Sequence, residues 1–565
     1  MDVRAQNFSF FSSIDPLGAV RVSQAKIDHL RWVKTVCGED NLEGVFFYHS
    51  QEGALKEAQN LFRILSLKKC QVIYQFGIGL GYFYEAAKEW LQEDKERALV
   101  FLEDDPAVVN CFFSLSKAQE ILRDPQAMLW MIDKKELQED IQLFRTLTWA
   151  HLLKINCITA LPAYAEHRKE DYHLIKERLL QESSNKNDLV SEYLSSSIPF
   201  YRNYFPNLFK LPDSLMGSSL FGEFQNVPAL ICGAGPSLNK HLDQLNALKE
   251  RACLFAGGTA MKLLMQAGVR PHFGGGIDPN TEQWKLYQQI KELDFPVFYH
   301  PRIRSEALEL LKGPKLYLSG TGGYEIGKWV DNQLGIAVQE MDEGHNVIHF
   351  LTQIALRMGC NPIIFIGMDL SSHTALHGVL RNDIYGNPIH TEWKWIRESH
   401  WTSTLAQEKS DRCWINATEG GIGFKGIENR ALKDVHLEKM DVDEKIRAAL
   451  KKAQMPQSVN KAHIEELLET LRLSLERSME FLMDLKSDSE KMRLEGKKSL
   501  EGLSGRGMLA YHDLTQEVAY PVILEVYERI QKLLAAEKAA QKQPEIWGAV
   551  LQAAQDIHAC LIQTR

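Results

Sequence analysis

Residues 229–239 read Ala-Leu-Ile-Cys-Gly-Ala-Gly-Pro-Ser-Leu-Asn: an apolar run, a glycine turn, a proline and a hydroxyl. The apolar run is a buried strand. Gly233 and Gly235 allow a tight turn, and Pro236 sits early in a following helix, KHLDQLNALK, where its missing N–H costs nothing. In that arrangement Ser237 and the free amides of the first helical turn face a phosphate. This strand, Gly-rich turn and helix form the opening unit of a doubly wound α/β domain.

Outward from this turn, five more apolar strands follow, each ending in glycine or a polar residue: ACLFAGG, HFGGGID, PVFYH, KLYLSG and PIIFIGMDL. Strands this apolar on both faces, with helices between them, indicate a parallel sheet. Ligands of such sheets bind beyond the carboxyl ends of the strands. Those ends supply Gly258 and Thr259, then Asp278, then Gly367 and Asp369 with Ser371, Ser372, His373 and His377 in a loop. A single Asp there serves as a helix cap or a site residue; several on one edge form a polar rim around the turn.

Three blocks emerge: 1–205, 206–435 and 436–565. In the first, Phe76-Gly-Ile-Gly-Leu-Gly-Tyr82 follows a strand, and Glu103-Asp104-Asp105 closes the next one. This is a Rossmann-like pattern. It is either a cofactor site whose carboxylate meets a ribose or a degenerate copy that binds nothing. Between the first two blocks, YLSSSIPFYRNYFPNLF breaks the pattern and reads as an interdomain crossing over about 192–225. The third block lacks a strand signal. Ile464, Leu467, Leu468, Leu471, Leu475, Leu482 and Leu485 recur at helical spacing, as do Ile523, Leu524, Tyr527, Ile530 and Leu533, which indicates a helical bundle core. The fold class is therefore α/β: two Rossmann-like domains, then helices.

At ~150 residues per domain, 565 residues fit that count. With 65 basic against 74 acidic residues, net −9, and no basic cluster, a nucleic-acid binder or polybasic membrane anchor is not expected. No apolar run approaches the ~20 residues of a membrane span. The stretch MDVRAQNFSFFSS lacks a signal peptide's apolar core, and the nine cysteines include no Cys-x-x-Cys pair. A reducing cytoplasm is the expected setting.

Four phrases together, GAGPSLN, AMKLLMQAGVRPHFGGGIDP, IIFIGMDLSSHTALH and NATEGGIGFKG (416–426), resemble the central domain of the motility-accessory-factor proteins, the flagellin glycosyltransferases. The phrase FGIGLGYF…FLEDD is similar to one in their N-terminal domain, so the resemblance covers most of the chain. The central domain also resembles archaeal 6-hydroxymethylpterin diphosphokinase.

The first resemblance implies a sialyltransferase-like central domain. It would transfer a nonulosonic acid of the pseudaminic or legionaminic type from a CMP-activated donor to Ser or Thr of a flagellin-like protein, with no tightly bound cofactor. Matched by position, Gly233, Gly235, Pro236, Ser237, Leu238 and the adjoining Asn239 would hold the nucleotide, with Gly258, Thr259 and Gly367. Asn416, Thr418, Glu419 and Gly420 match the later Asn-Ala-Thr-Glu-Gly segment. Asp278 and Asp369 match the two strand-end aspartates. Two departures fall where the donor sugar or acceptor would lie. Ser372 replaces an aromatic, with His377 one position early and an Asp-Gly pair missing. Gly344-His-Asn-Val347 stands where Gly-Gly-Ser-Val is usual.

The chemistry needs a stabilised leaving phosphate and a base for the acceptor hydroxyl. A near-neutral His suits the base, His377 first and His373 second, with Asp278 or Asp369 to orient it or to bind ribose or a metal. A pterin diphosphokinase using ATP and Mg²⁺ would use the paired aspartates equally well. A Rossmann pair without turnover is the third alternative.

Overall fold

The computed structural model describes residues 2–133, 155–320, 324–372, 379–494, 505–523, 525 and 543–564. His373, His377 and four residues of the second helical stripe (Leu524, Tyr527, Ile530 and Leu533) lie outside them. Contacts divide the chain into two compact units, one of residues 1–189 and one of the described residues from 190 onward.

In the first unit a hairpin, β1 (Arg31–Lys34) and β2 (Asp40–Glu43), precedes a parallel sheet in the order β5-β4-β3-β6. Its strands are β3 (Val72–Phe76), β4 (Ala98–Glu103), β5 (Ala127–Met131) and β6 (Asn156–Ala160). β3 and β4 are buried at every position, as their uninterrupted apolar runs require of strands covered on both faces.

The second unit holds nine parallel strands in the order β17-β16-β13-β8-β9-β10-β11-β12-β7. The strands anticipated from sequence are β8 (Ala229–Cys232), β9 (Cys253–Gly257), β10 (Phe273–Gly276), β11 (Val297–Tyr299), β12 (Lys315–Tyr317) and β13 (Ile363–Ile366). Added to them are β7 (Leu215–Met216) at one edge, and β16 (Trp414–Asn416) with β17 (Glu428–Asn429) at the other. A separate hairpin, β14 (Val379–Asn382) and β15 (Pro388–Thr391), stands apart from the sheet. The chain winds outward from β8 to β12 and then returns to lay β13 against the other side of β8. The switch point therefore falls between β8 and β13.

Side chains alternate along each strand, and the two faces bury different partners. Ile231, Phe255, Phe298 and Phe365 pack with Phe350, Leu351 and Ile354 of the helix Val347–Met358. Leu230, Leu254, Tyr299 and Ile364 belong to a core shared with Phe200, Tyr204 and the whole 464–485 stripe. The stripe is thus core, as expected. The segment expected to cross between domains is instead the end of one helix, Lys169–Leu208. Its Ser, Pro and Asn content is overridden by Phe200, Tyr201, Tyr204, Phe205 and Leu208, whose spacing makes one apolar stripe that the sheet buries.

Behind β12 the fully buried Asp331 accepts hydrogen bonds from Tyr317 Oη and, at 3.2 Å, from the Gly320 amide. Burial pushes its carboxyl up to about 6 from the ordinary 3.8. The folded state keeps that proton over a window in which the unfolded chain has lost it, so stability falls as pH rises through about 4 to 6. Two units correspond to about 3 kcal/mol. Asp331→Asn cannot titrate. Its melting temperature relative to wild type should therefore climb between about pH 4 and pH 7; a constant difference would contradict this.

Candidate functional site

At the switch point the turns after β8 and β13 touch backbone to backbone. The Gly233 amide donates to Ile366 O and the Gly235 amide to Gly367 O, each at 2.8 Å. A Cβ on Gly233 would stand 2.5 Å from Gly367 O, and one on Gly367, at φ 68°, 2.5 Å from Gly233 O. Only glycine permits this approach.

Asp369 fills the turn so formed. Its Oδ2 accepts from Ser237 Oγ at 2.7 Å and from the Ser237 amide at 3.3 Å. A Cβ on Gly235 would overlap this carboxylate, and one on Gly421 would overlap the Asp369 carbonyl. The Ser237 amide, expected to be open, donates instead to the protein's own carboxylate. The expected helix is also displaced. Pro236–Lys240 is a 3-10 turn, and the α-helix Leu242–Leu248 starts only after His241.

The remaining matched residues divide into buried supports and rim residues. Leu238 is fully buried in the core. Asn416 is buried and donates to Asn429 Oδ1 at 2.8 Å, and Thr418 Oγ1 accepts from the Met368 amide at 3.2 Å. These side chains make their contacts inside the protein. Glu419, at φ 57°, accepts from the Leu432 amide at 3.0 Å, and Gly420 adjoins Asp369. Pro236, Asn239 and Thr259 are exposed, and Gly258 opens the helix Gly258–Gln266.

On the same sheet, along the ends of β10, β11 and β12, lies a cleft of about 810 Å³. That volume is within the range of small-molecule sites. Asp278 lines it; Asp369 does not, so the two aspartates expected on one rim serve different places. Among the described residues no group of three His, Cys, Asp or Glu could hold a metal ion.

Sequence reasoning missed the side chains that build the cleft wall. Arg302 donates from Nε to Ile277 O and from Nη2 to Glu343, both at 3.0 Å. Glu343 also lies 3.1 Å from Nε2 of the buried His300, whose Nδ1 meets Leu318 O at 3.1 Å. Phe200 and Tyr324 stack face to face at 3.7 Å on another wall. The only signal for Arg302 was its place two residues beyond the strand end PVFYH.

The segment 342–346 is pinned over the cleft from below. Asn346 caps the helix Val347–Met358 by accepting from the Ile348 and His349 amides, each at 2.9 Å. His349 Nδ1 accepts from the His345 amide at 3.0 Å, and Trp401 donates to Asp342 at 2.8 Å. Burial pulls the His349 imidazole down to about 3, which keeps it neutral and able to accept. His345 and Asn346, the residues that depart from the usual Gly-Gly-Ser-Val, both line the cleft.

In the first unit the Gly-rich turn is filled from within. Gly77, Gly79 and Gly81 all have positive φ, and His49 Nε2 accepts the Leu80 amide at 2.9 Å. The fully buried Glu103 accepts from the Ile78 amide at 3.0 Å and Tyr164 Oη at 2.9 Å; burial, with Asp104 beside it, pushes its carboxyl up to about 8. Asp104 pairs with Arg168, and Asp105 caps the next helix through the Ala107 amide. Each carboxylate of the acidic strand end, for which a ribose contact and a degenerate copy were the two alternatives, has a partner within the protein.

A parallel doubly wound sheet with a polar cleft beyond its strand ends defines the class: a Rossmann-like α/β domain. A family model described as 6-hydroxymethylpterin diphosphokinase MptE-like matches residues 202–374. The chain is also similar in structure to a MAf glycosyltransferase from Magnetospirillum magneticum AMB-1. The two are 13% identical, with a TM-score of 0.54, over 100% of this chain and 96% of that one. No curated protein sequence matches the chain. Both resemblances drawn from the motifs thus reappear, and the fold is shared with a glycosyltransferase along the full length. Among the described residues no helix is long and apolar enough to cross a membrane.

The turn gives a direct test. Gly235→Ala must drive the Asp369 carboxylate from its place, at a packing cost of about 1–3 kcal/mol. A melting point lowered by a few degrees, together with lost nucleotide binding by calorimetry, is the expected result. Unchanged nucleotide affinity would show that the turn plays no part in the site.

Proposed function

We infer that the protein is a glycosyltransferase that moves an acidic nonulosonic sugar from a CMP-activated donor to Ser or Thr hydroxyls of a flagellin-like protein. One observation carries this: on a fold shared with a glycosyltransferase, a polar cleft of about 810 Å³ lies beyond the ends of β10, β11 and β12 in the sheet whose β8 and β13 ends carry the Asp369 turn. Gly233, Gly235 and Gly367 shape that turn, and Ser237 positions Asp369. Gly258, Thr259 and Gly420 present backbone along the same edge to the nucleotide.

In the reaction, the bond from the anomeric carbon to the CMP phosphate breaks and a bond to the acceptor oxygen forms. The hydroxyl proton passes to a base, and CMP leaves with the bonding pair. His377, with His373 second, is retained as that base, and Asp278 faces the reacting sugar from the cleft. Such general-base catalysis contributes about 10²–10⁴-fold. All nine cysteines are free thiols, which suits the reducing cytoplasm where nucleotide sugars and an unassembled acceptor would be found.

The match of residues 202–374 to the pterin diphosphokinase model favours a second reading, transfer of diphosphate from ATP to a pterin alcohol. One assay separates the two. Purified protein with CMP-legionaminic or CMP-pseudaminic acid and flagellin should release CMP and add the sugar's mass to flagellin. AMP release from ATP plus 6-hydroxymethylpterin, without CMP release, would establish the second reading instead. His377→Ala should lower transfer by at least 100-fold while CMP still binds; full activity would remove His377 as base.

A further inference from the structure

Arg302 has a geometry that the nucleotide alone does not explain. Its side chain is only 16% exposed, yet it lines the cleft. Nε is tied to the end of β10 through Ile277 O, and Nη2 to Glu343, which the buried His300 backs from the far side. Nη1 has no hydrogen-bond partner among the described residues. The guanidinium is thus fixed in orientation, with one donor edge left for something in the cleft. A buried, immobilised guanidinium with Nη1 free suits an anionic oxygen such as a carboxylate's. The N-terminus of the helix Val347–Met358 opens on the same cleft through His345 and Asn346 and adds favourable potential for an anion.

Arg397, Lys328, His345 and Asp278 also line the cleft, so the role falls to Arg302 on its anchoring and not by elimination. Asp342 accepts from Trp401 and the Gly344 amide, and Glu340 pairs with Lys328 at 3.6 Å. Glu343 is the counter-ion of Arg302 and faces it from the loop side, so the guanidinium stays oriented without being neutralised on its free edge.

We propose that Arg302 recognises the carboxylate of the donor sugar and so selects acidic sugars over neutral ones. This rests on the glycosyltransferase reading above. The carboxylate and the CMP phosphate are the donor's two anionic groups, and the experiment is arranged to tell them apart.

Calorimetry on the full chain would compare CMP, CMP-legionaminic acid, CMP-pseudaminic acid and the carboxyl methyl esters of the two donors. Wild type should bind one donor at least 10-fold more tightly than its ester. Arg302→Gln should bind that donor at least 10-fold more weakly than wild type, hold CMP within twofold, and no longer distinguish donor from ester. Arg302→Lys should recover part of the loss. Equal loss of CMP and donor would assign Arg302 to the phosphate and overturn the proposal, as would a wild type indifferent to esterification. The ester comparison needs no variant and stands even if Arg302→Gln does not fold. A wild type that binds neither donor removes the glycosyltransferase reading and this proposal together. Binding that ignores the ester removes only the latter.

Discussion

Two strand-end turns meet where the sheet reverses its winding, and they meet without side chains between them. Gly233 and Gly367 each stand where a Cβ would lie 2.5 Å from the other's carbonyl oxygen. This close approach brings Asp369 over Gly235 and under Ser237, 132 residues away in sequence. A charge-assisted hydrogen bond of this kind contributes about 1.5–3 kcal/mol. The hydrogen bond therefore ties the two halves of the winding at the switch point. Gly420 closes on the same carboxylate and Gly421 on the Asp369 main chain, so the late segment is placed against this residue as well.

From that fixed point the functional edge runs across the strand ends to the cleft. Gly257, at the end of β9, packs against Val347, and Val347 begins the helix whose cap, Asn346, lines the cleft. The cleft wall is then set by charge pairing rather than by apolar packing, with Arg302 held between a backbone carbonyl and Glu343.

Much of the framework was legible before any coordinates. The six central strands stood out because each is buried on both faces, so its residues run apolar without alternation. The 464–485 stripe was legible because one helical face repeats over five turns. Other features were hidden for physical reasons. The helical end of 169–208 was masked by Ser and Pro, and its aromatic spacing becomes decisive only against the sheet it covers. β16 is three residues long, too short to show a period. The occupation of the Ser237 amide was invisible because the occupant comes from Asp369, far along the chain. In the first unit, the Gly-rich turn fitted either a cofactor loop or a degenerate copy; His49, Glu103 and Tyr164 pack into it, and no local pattern connects those residues. Arg302 carried no motif at all, only its position beyond a strand.

The central claim is that the ligand edge of this protein is the carboxyl end of the nine-stranded sheet, and that the Gly-rich turn of the first unit is not a second one. Determining the crystal structure after soaking with CMP tests it directly. The account predicts nucleotide density beyond β8–β12, between the Asp369 turn and the Arg302 cleft, with Gly77–Gly81 unchanged. Nucleotide bound at Gly77–Gly81, with His49 and Glu103 displaced and the nine-stranded sheet empty, would contradict it.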